Sequence, residues 1–143
     1  VMLCDYFEPL TDEKHITLKL EGQCTTIQGD KMMLGRAIGN ILSNAIRYTA
    51  ENNQINITLT QVNDKKVSIT ISNPGKKIDK EHLLRIFERF YRIDQSRHRT
   101  EDGTGTGIGL AIVKSIIDAH KGTIHVESDE QSTRFIINLP TVN

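Results

Sequence analysis

Residues 102–113 read DGTGTGIGLAIV: four glycines at alternate positions, then an uncharged apolar run. Glycine loses more conformational freedom on folding than any other residue, so this density marks a place where bare backbone is required. The stretch decides between α/β folds that use glycine loops. A P-loop needs GxxxxGK[ST], and no Gly-Lys-Ser/Thr occurs in the chain. A Rossmann turn needs GxGxxG directly after a hydrophobic strand, whereas this GxGxG follows the hydrophilic IDQSRHRTED at 93–102. What remains is a charged loop whose glycines open a helix. Amide N–H groups and the helix dipole at such a start form an anion site, and Gly105, Gly107 and Gly109 would let phosphate oxygens approach the backbone. A flexible linker is the other reading, but a linker would not run straight into an apolar helix.

Outward from this loop the element types alternate. ITLKLEG (16–22) alternates Ile16, Leu18 and Leu20 with polar residues, the pattern of a half-buried strand. Asp30 is a good N-cap, and Leu34, Ala37, Ile38, Ile41, Leu42, Ala45 and Ile46 follow helical spacing after it. Ile55, Ile57 and Leu59 alternate in one further strand and Val67, Ile69 and Ile71 in the next, with NDK (63–65) as a hairpin turn. A short helical stretch covers DKEHLLRIFERFY (79–91), a loop without periodicity 92–106, and a helix GIGLAIVKSIIDAH (107–120). Ile124/Val126 and Phe135/Ile137/Leu139 close a last hairpin through DEQS (129–132). Strand pairs on short turns with interspersed helices predict a mixed, mostly antiparallel sheet covered on one face by helices, a two-layer α/β sandwich.

Composition limits the partners. The 143 residues fit one domain, and 18 Lys+Arg balance 18 Asp+Glu, so bulk charge favours neither nucleic acid nor a polybasic membrane contact. No apolar run approaches the roughly 20 residues that span a bilayer. The start VMLCDYFEPL suggests a piece of a longer protein. Cys4 and Cys24 lack CxxC spacing, which predicts two free, buried thiols in a reducing compartment.

Two further clusters carry chemistry. Asn40, Asn44 and Arg47 share one stripe of the helix after Asp30, flanking its apolar face. Amide oxygens are hard ligands suited to Mg²⁺, which keeps waters and substrate phosphates, and Arg47 adds charge for phosphate. An exposed polar face is the plainer reading, though asparagine is a poor mid-helix residue. Asn73 falls on the same strand face as Val67, Ile69 and Ile71, just before Pro74-Gly75. Its amide could accept from an adenine amino group, or bond its own turn backbone.

Together these stretches resemble the ATP-binding catalytic domain of sensor histidine kinases, in the superfamily that also holds gyrase, Hsp90 and MutL ATPases. DKMMLGRAIGNILSNAIRYT (30–49) is similar to its N box, ISNPGKKI (71–78) to its G1 box, FERFYR (87–92) to its F box and GTGIGLAIVK (105–114) to its G2 box. Order and spacing match over residues 13–140. The SNPG form of the G1 box is similar to that of copper- and silver-responsive sensor kinases.

The resemblance implies a Bergerat-type ATP-binding fold and a single catalytic domain over 1–143, with 1–12 ending a linker and 92–106 forming an ATP lid. It implies ATP and Mg²⁺ as cofactors, with Asn44 a Mg²⁺ ligand and Asn40 its helper. Arg47 then contacts phosphate and Tyr48 packs beside the nucleotide. Asn73, Gly75 and Ile78 belong to the adenine side. Arg97, Arg99, Thr104, Gly105, Thr106, Gly107, Ile108, Gly109 and Leu110 belong to the lid and phosphate side, with Phe87 and Phe90 anchoring the lid. Where the family's G1 box reads DxGxG, Asn73 replaces the aspartate and Lys77 the second glycine.

The implied activity is protein histidine kinase: transfer of the γ-phosphate of MgATP to a histidine on a separate, upstream dimerisation domain, then signalling to a cognate response regulator. The implied location is the cytoplasmic part of a bacterial inner-membrane sensor, attached to the membrane only through upstream sequence. None of the five histidines stands in a phosphoacceptor motif, so no catalytic nucleophile is expected in this chain, which alone should not autophosphorylate. A gyrase/Hsp90-type ATPase would need a glutamate in the N box, and residues 36–44 hold no acidic residue. A non-catalytic nucleotide-binding module is the other alternative, kept open by the altered G1 box.

Overall fold

Period-two apolar runs build the sheet. In the computed structural model, which describes residues 2–7, 15–75, 77–88 and 109–141, the strands are β1 (Thr17–Gly22), β2 (Gln54–Asn63), β3 (Lys66–Pro74), β4 (Thr123–Ser128) and β5 (Ser132–Pro140). They form one sheet in the order β1-β2-β3-β5-β4. β1 runs parallel to β2 and every other pairing is antiparallel. Register stacks Ile57 on Ile71 and Ile71 on Phe135, and likewise Leu59 on Ile69 and Ile69 on Ile137, so the buried side chains of three strands line one face. The opposite face carries Thr58, Thr70 and Ser68 and is polar. The edge strand β1 contributes less than its alternation predicts: Leu18 is half-buried and Leu20 exposed, because β1 has a neighbour on one side only.

Helices cover the apolar face. In α1 (Lys31–Arg47) the Asp30 carboxylate accepts from the Met33 N–H at 3.0 Å, satisfying an orphan donor of the first turn. Leu34, Ala37, Ile38, Ile41, Leu42 and Ala45 are buried beneath it. α2 (Lys80–Leu83) is a single turn, shorter than the sequence pattern predicts, and the chain continues through turns that bury Ile86. α3 (Gly109–Ala119) buries Val113, Ile116 and Ile117. No helix among the described residues is long and apolar enough to cross a membrane.

The cysteines correct the expectation of free, buried thiols. A 3₁₀ turn, Leu3–Phe7, lies along residues 23–26 through the Leu3 N–H to the Thr25 carbonyl (3.0 Å) and a bridge between Met2 and Thr26. This places Cys4 and Cys24 with Cα atoms 5.4 Å apart, joined as a disulfide. Cys4 is half-buried and Cys24 exposed. A separation of 20 residues hides the pairing from the sequence. Closing a loop of this length stabilises by about 3 kcal/mol. Dithiothreitol should therefore lower the urea midpoint of the wild type and leave that of Cys4→Ser/Cys24→Ser unchanged.

Candidate functional site

One end of the sandwich gathers most of the polar residues that the core-side faces carry. α1 ends there, α3 begins there, and β3 ends there. Asn40, half-buried on α1, donates its amide Nδ2 to the Gly109 carbonyl at 3.4 Å. A Cβ on Gly109 would lie 3.9 Å from the Asn40 amide carbon, so the two helices meet closely at this point. With its nitrogen committed, Asn40 keeps its oxygen as the acceptor end. Asn44, one turn later, is also half-buried. Two neutral amide oxygens on one helix stripe form a donor set that suits a hard cation such as Mg²⁺.

The helix ends beside the second cluster. The Tyr48 N–H returns to the Asn44 carbonyl at 3.3 Å, and the buried Thr49 hydroxyl bonds the Ala45 carbonyl at 2.6 Å, which closes the last turn. Tyr48 is 47% exposed, and the Arg47 guanidinium lies 5.9 Å from its ring centroid. This cation–π contact keeps an aromatic face and a positive charge at the rim. A Cβ on Gly75 would sit 3.3 Å from the Tyr48 carbonyl oxygen and 3.6 Å from Asn73 Nδ2. Glycine at 75 therefore lets the end of β3 approach the end of α1.

Asn73 is 4% exposed on the core face of β3. Its Nδ2 donates to the Pro74 carbonyl at 3.1 Å. Both readings of this residue thus have a place: the nitrogen holds the local backbone, and the oxygen is left as the acceptor. Opposite Asn73 in the register stands Thr133, 5% exposed. Its hydroxyl lies 2.9 Å from that of Ser128, which accepts from the Ile78 N–H at 2.9 Å. Sequence reading missed Thr133, although it sits in phase with Phe135, Ile137 and Leu139 and is the polar member of that core-facing series. Asp129 braces the neighbouring turn: the N–H groups of Gln131 and Ser132, at 2.8 and 3.0 Å, hold its carboxyl below the usual range.

Other candidates fall around this end. Leu110 packs against the core from the first turn of α3, and Phe87 meets Phe135 edge-on at 6.4 Å between ring centroids. Lys77 is exposed. Phe90, Arg97, Arg99, Thr104, Gly105, Thr106, Gly107 and Ile108, with the whole of 92–106, lie outside the described residues. His120 bridges two helices: its Nε2 accepts from the Asp30 N–H at 3.1 Å, and its Nδ1 lies 2.8 Å from the Ile116 carbonyl.

Comparison with known proteins converges on one family. Residues 29–143 match the histidine kinase-, DNA gyrase B- and HSP90-like ATPase family. The chain is 49% identical over 136 residues to the sensor histidine kinase CusS of Escherichia coli K12, covering 95% of this chain and 28% of that protein. It is 50% identical over 125 residues to the probable sensor kinase SilS of Salmonella typhimurium, covering 87% and 24%. The structure superposes on the mycobacterial sensor histidine kinase MprB with a TM-score of 0.77 at 28% identity, covering 87% of this chain and 83% of that one. The chain thus spans about a quarter of the length of the full-length relatives it matches.

Proposed function

The chain belongs to the histidine kinase-, DNA gyrase B- and HSP90-like ATPase family, and from that premise we propose that it is the catalytic domain of a sensor histidine kinase. It binds MgATP at the end of the sandwich where α1, α3 and β3 meet. It presents the γ-phosphate to a histidine on a separate domain of the longer protein, for relay to a response regulator. The domain reading covers residues 1–143, with 1–12 leading in from the partner domain and 92–106 as the lid. The whole protein on this reading is a membrane-anchored heavy-metal sensor with this domain on the cytoplasmic side.

The observation that carries the reading is the buried Asn73. Asn73 stands on the core face of β3 with its nitrogen held by the Pro74 carbonyl, so its oxygen is the end that a ligand at this rim can engage. The oxygen suits the exocyclic amino group of adenine. Guanine presents a carbonyl at the same position, which an acceptor repels. Thr133, Ser128 and the Ile78 backbone frame the same side of the sheet. Tyr48 would pack beside the nucleotide, and Arg47 would meet its phosphates. Asn44 and Asn40 would hold Mg²⁺, and Gly109 and Leu110 would continue the phosphate loop formed by Arg97, Arg99 and residues 104–108. Bound there, the metal would neutralise phosphate charge and orient the γ-phosphate.

Calorimetry with ATP and GTP tests this. Asn73→Ala should weaken ATP binding at least tenfold and erase the preference over GTP, because a buried hydrogen bond to the base is lost. Asn73→Asp should keep the preference but bind several-fold more weakly, since a carboxylate oxygen would face the Pro74 carbonyl in place of the amide nitrogen. ATP binding by Asn73→Ala at wild-type affinity would place the adenine elsewhere.

A further inference from the structure

Two hydrogen bonds tie α1 to α3, one at each end of the pair. At the nucleotide end Asn40 Nδ2 donates to the Gly109 carbonyl. At the far end the Asp30 N–H donates to His120 Nε2 at 3.1 Å. The helices are therefore antiparallel. From Asn40 back to Asp30 is ten residues, and from Gly109 on to His120 is eleven, about 15 and 16 Å of helix. The two ties close a parallelogram whose long sides are equal within about 2 Å.

The imidazole is built into its end. Nε2 accepts, so it carries no proton. Nδ1, 2.8 Å from the Ile116 carbonyl, must then carry one. Both contacts together require the neutral ring in its Nδ1–H form. Gly29 makes room for it: a Cβ there would lie 2.7 Å from His120 Cδ2 and 2.9 Å from Nε2. Between the ties the two helices pack together, and Leu34, Ile38, Ile41, Val113 and Ile117 belong to one buried core. Apolar contact holds helices together without direction. Hydrogen bonds at the two ends fix how far one helix slides along the other.

We propose that His120 is a positioning residue: by tying α3 to the N-cap of α1 it sets the register that places Asn40 and Asn44 against the start of α3. The inference rests on the reading of that end as the MgATP site. Register matters there because Asn40 and Asn44 sit on one helix and the phosphate-facing backbone begins on the other. A slide of 1 Å at the far end is transmitted along two rigid rods to the site, and misplacement on this scale is costly in phosphoryl-transfer sites.

The test uses this chain with MgATP. ¹⁵N NMR of the wild type should show His120 as the Nδ1–H tautomer; the Nε2–H form would overturn the clamp. By calorimetry, His120→Leu should weaken MgATP binding about tenfold. His120→Gln, which keeps an acceptor at the reach of Nε2, should stay within about threefold of the wild type, the difference being about one hydrogen bond. A purely structural histidine would lower unfolding midpoints alike in both variants and leave affinity alone, and that result would overturn the proposal. Should His120→Leu fail to fold, His120→Met fills the space without the bond and gives the same readout. Absence of MgATP binding by the wild type would instead overturn the site reading on which the proposal stands.

Discussion

Asn44→Ala is expected to weaken MgATP binding by about 10–100-fold while changing binding of metal-free ATP less than about threefold. The size follows from losing a neutral oxygen ligand to a charged group, worth about 1.5–3 kcal/mol. The asymmetry follows from position. Asn44 lies half-buried on α1 one turn beyond Asn40, whose own nitrogen is held by the Gly109 carbonyl, and on the proposed reading both amides serve the metal. Adenine recognition is assigned to Asn73, on another element. Removing the Asn44 amide should leave that contact in place. Calorimetric titrations of ATP with Mg²⁺ and with EDTA, on wild type and variant, separate the two contributions. Equal losses in both would make Asn44 a structural residue of α1. An intact unfolding transition in the variant would show that the helix itself persists, as it should, because Ala is the better helix former.

The fold was legible where burial is one-sided. In β2, β3 and β5 the alternating apolar residues Ile55/Ile57/Leu59, Val67/Ile69/Ile71 and Phe135/Ile137/Leu139 are all buried. α1 was legible from cap to core, with Asp30 bonding Met33 as its residue type predicts. Legibility failed where partners are distant in sequence. Nothing in the local pattern of LCDYF or QCTTI brings Cys4 to Cys24, because their proximity depends on the chain returning past β1. His120 is similar: nothing local in the helix predicted over 107–120 names its partner, and only the folded chain sets it against Asp30, 90 residues away. Thr133 was missed for a different reason. It sits in a readable strand, but an alternating series is recognised by its apolar members, and Thr133 is the one polar member of that buried face. Asn73 is legible because the phase of β3 carries past its last buried apolar residue, Ile71.

Phosphoryl transfer should be all-or-none with respect to a second domain. This chain alone, given γ-labelled ATP and Mg²⁺, should bind nucleotide yet incorporate no stable label and release phosphate at no more than a trace rate. Joined to, or mixed with, a helical domain carrying a phosphoacceptor histidine, it should transfer label to that histidine. The reason is geometric. Transfer of this kind depends on positioning and charge neutralisation, and a nucleophile held in line with the γ-phosphate gains an effective concentration of about 10⁵ M or more over a free one. None of the described histidines stands in a phosphoacceptor motif. His15 and His125 are exposed, before β1 and on β4, and His82 is half-buried on α2. Both ring nitrogens of His120 are engaged at the end of the helix pair opposite Gly109. Water is no better served, since RAIGNILSN at 36–44 holds no carboxylate to take its proton. Acid-labile label appearing on the chain alone would contradict the division of labour between two domains. Rapid phosphate release would favour an ATPase of the gyrase or Hsp90 kind, and would mean that a base outside 36–44 activates water.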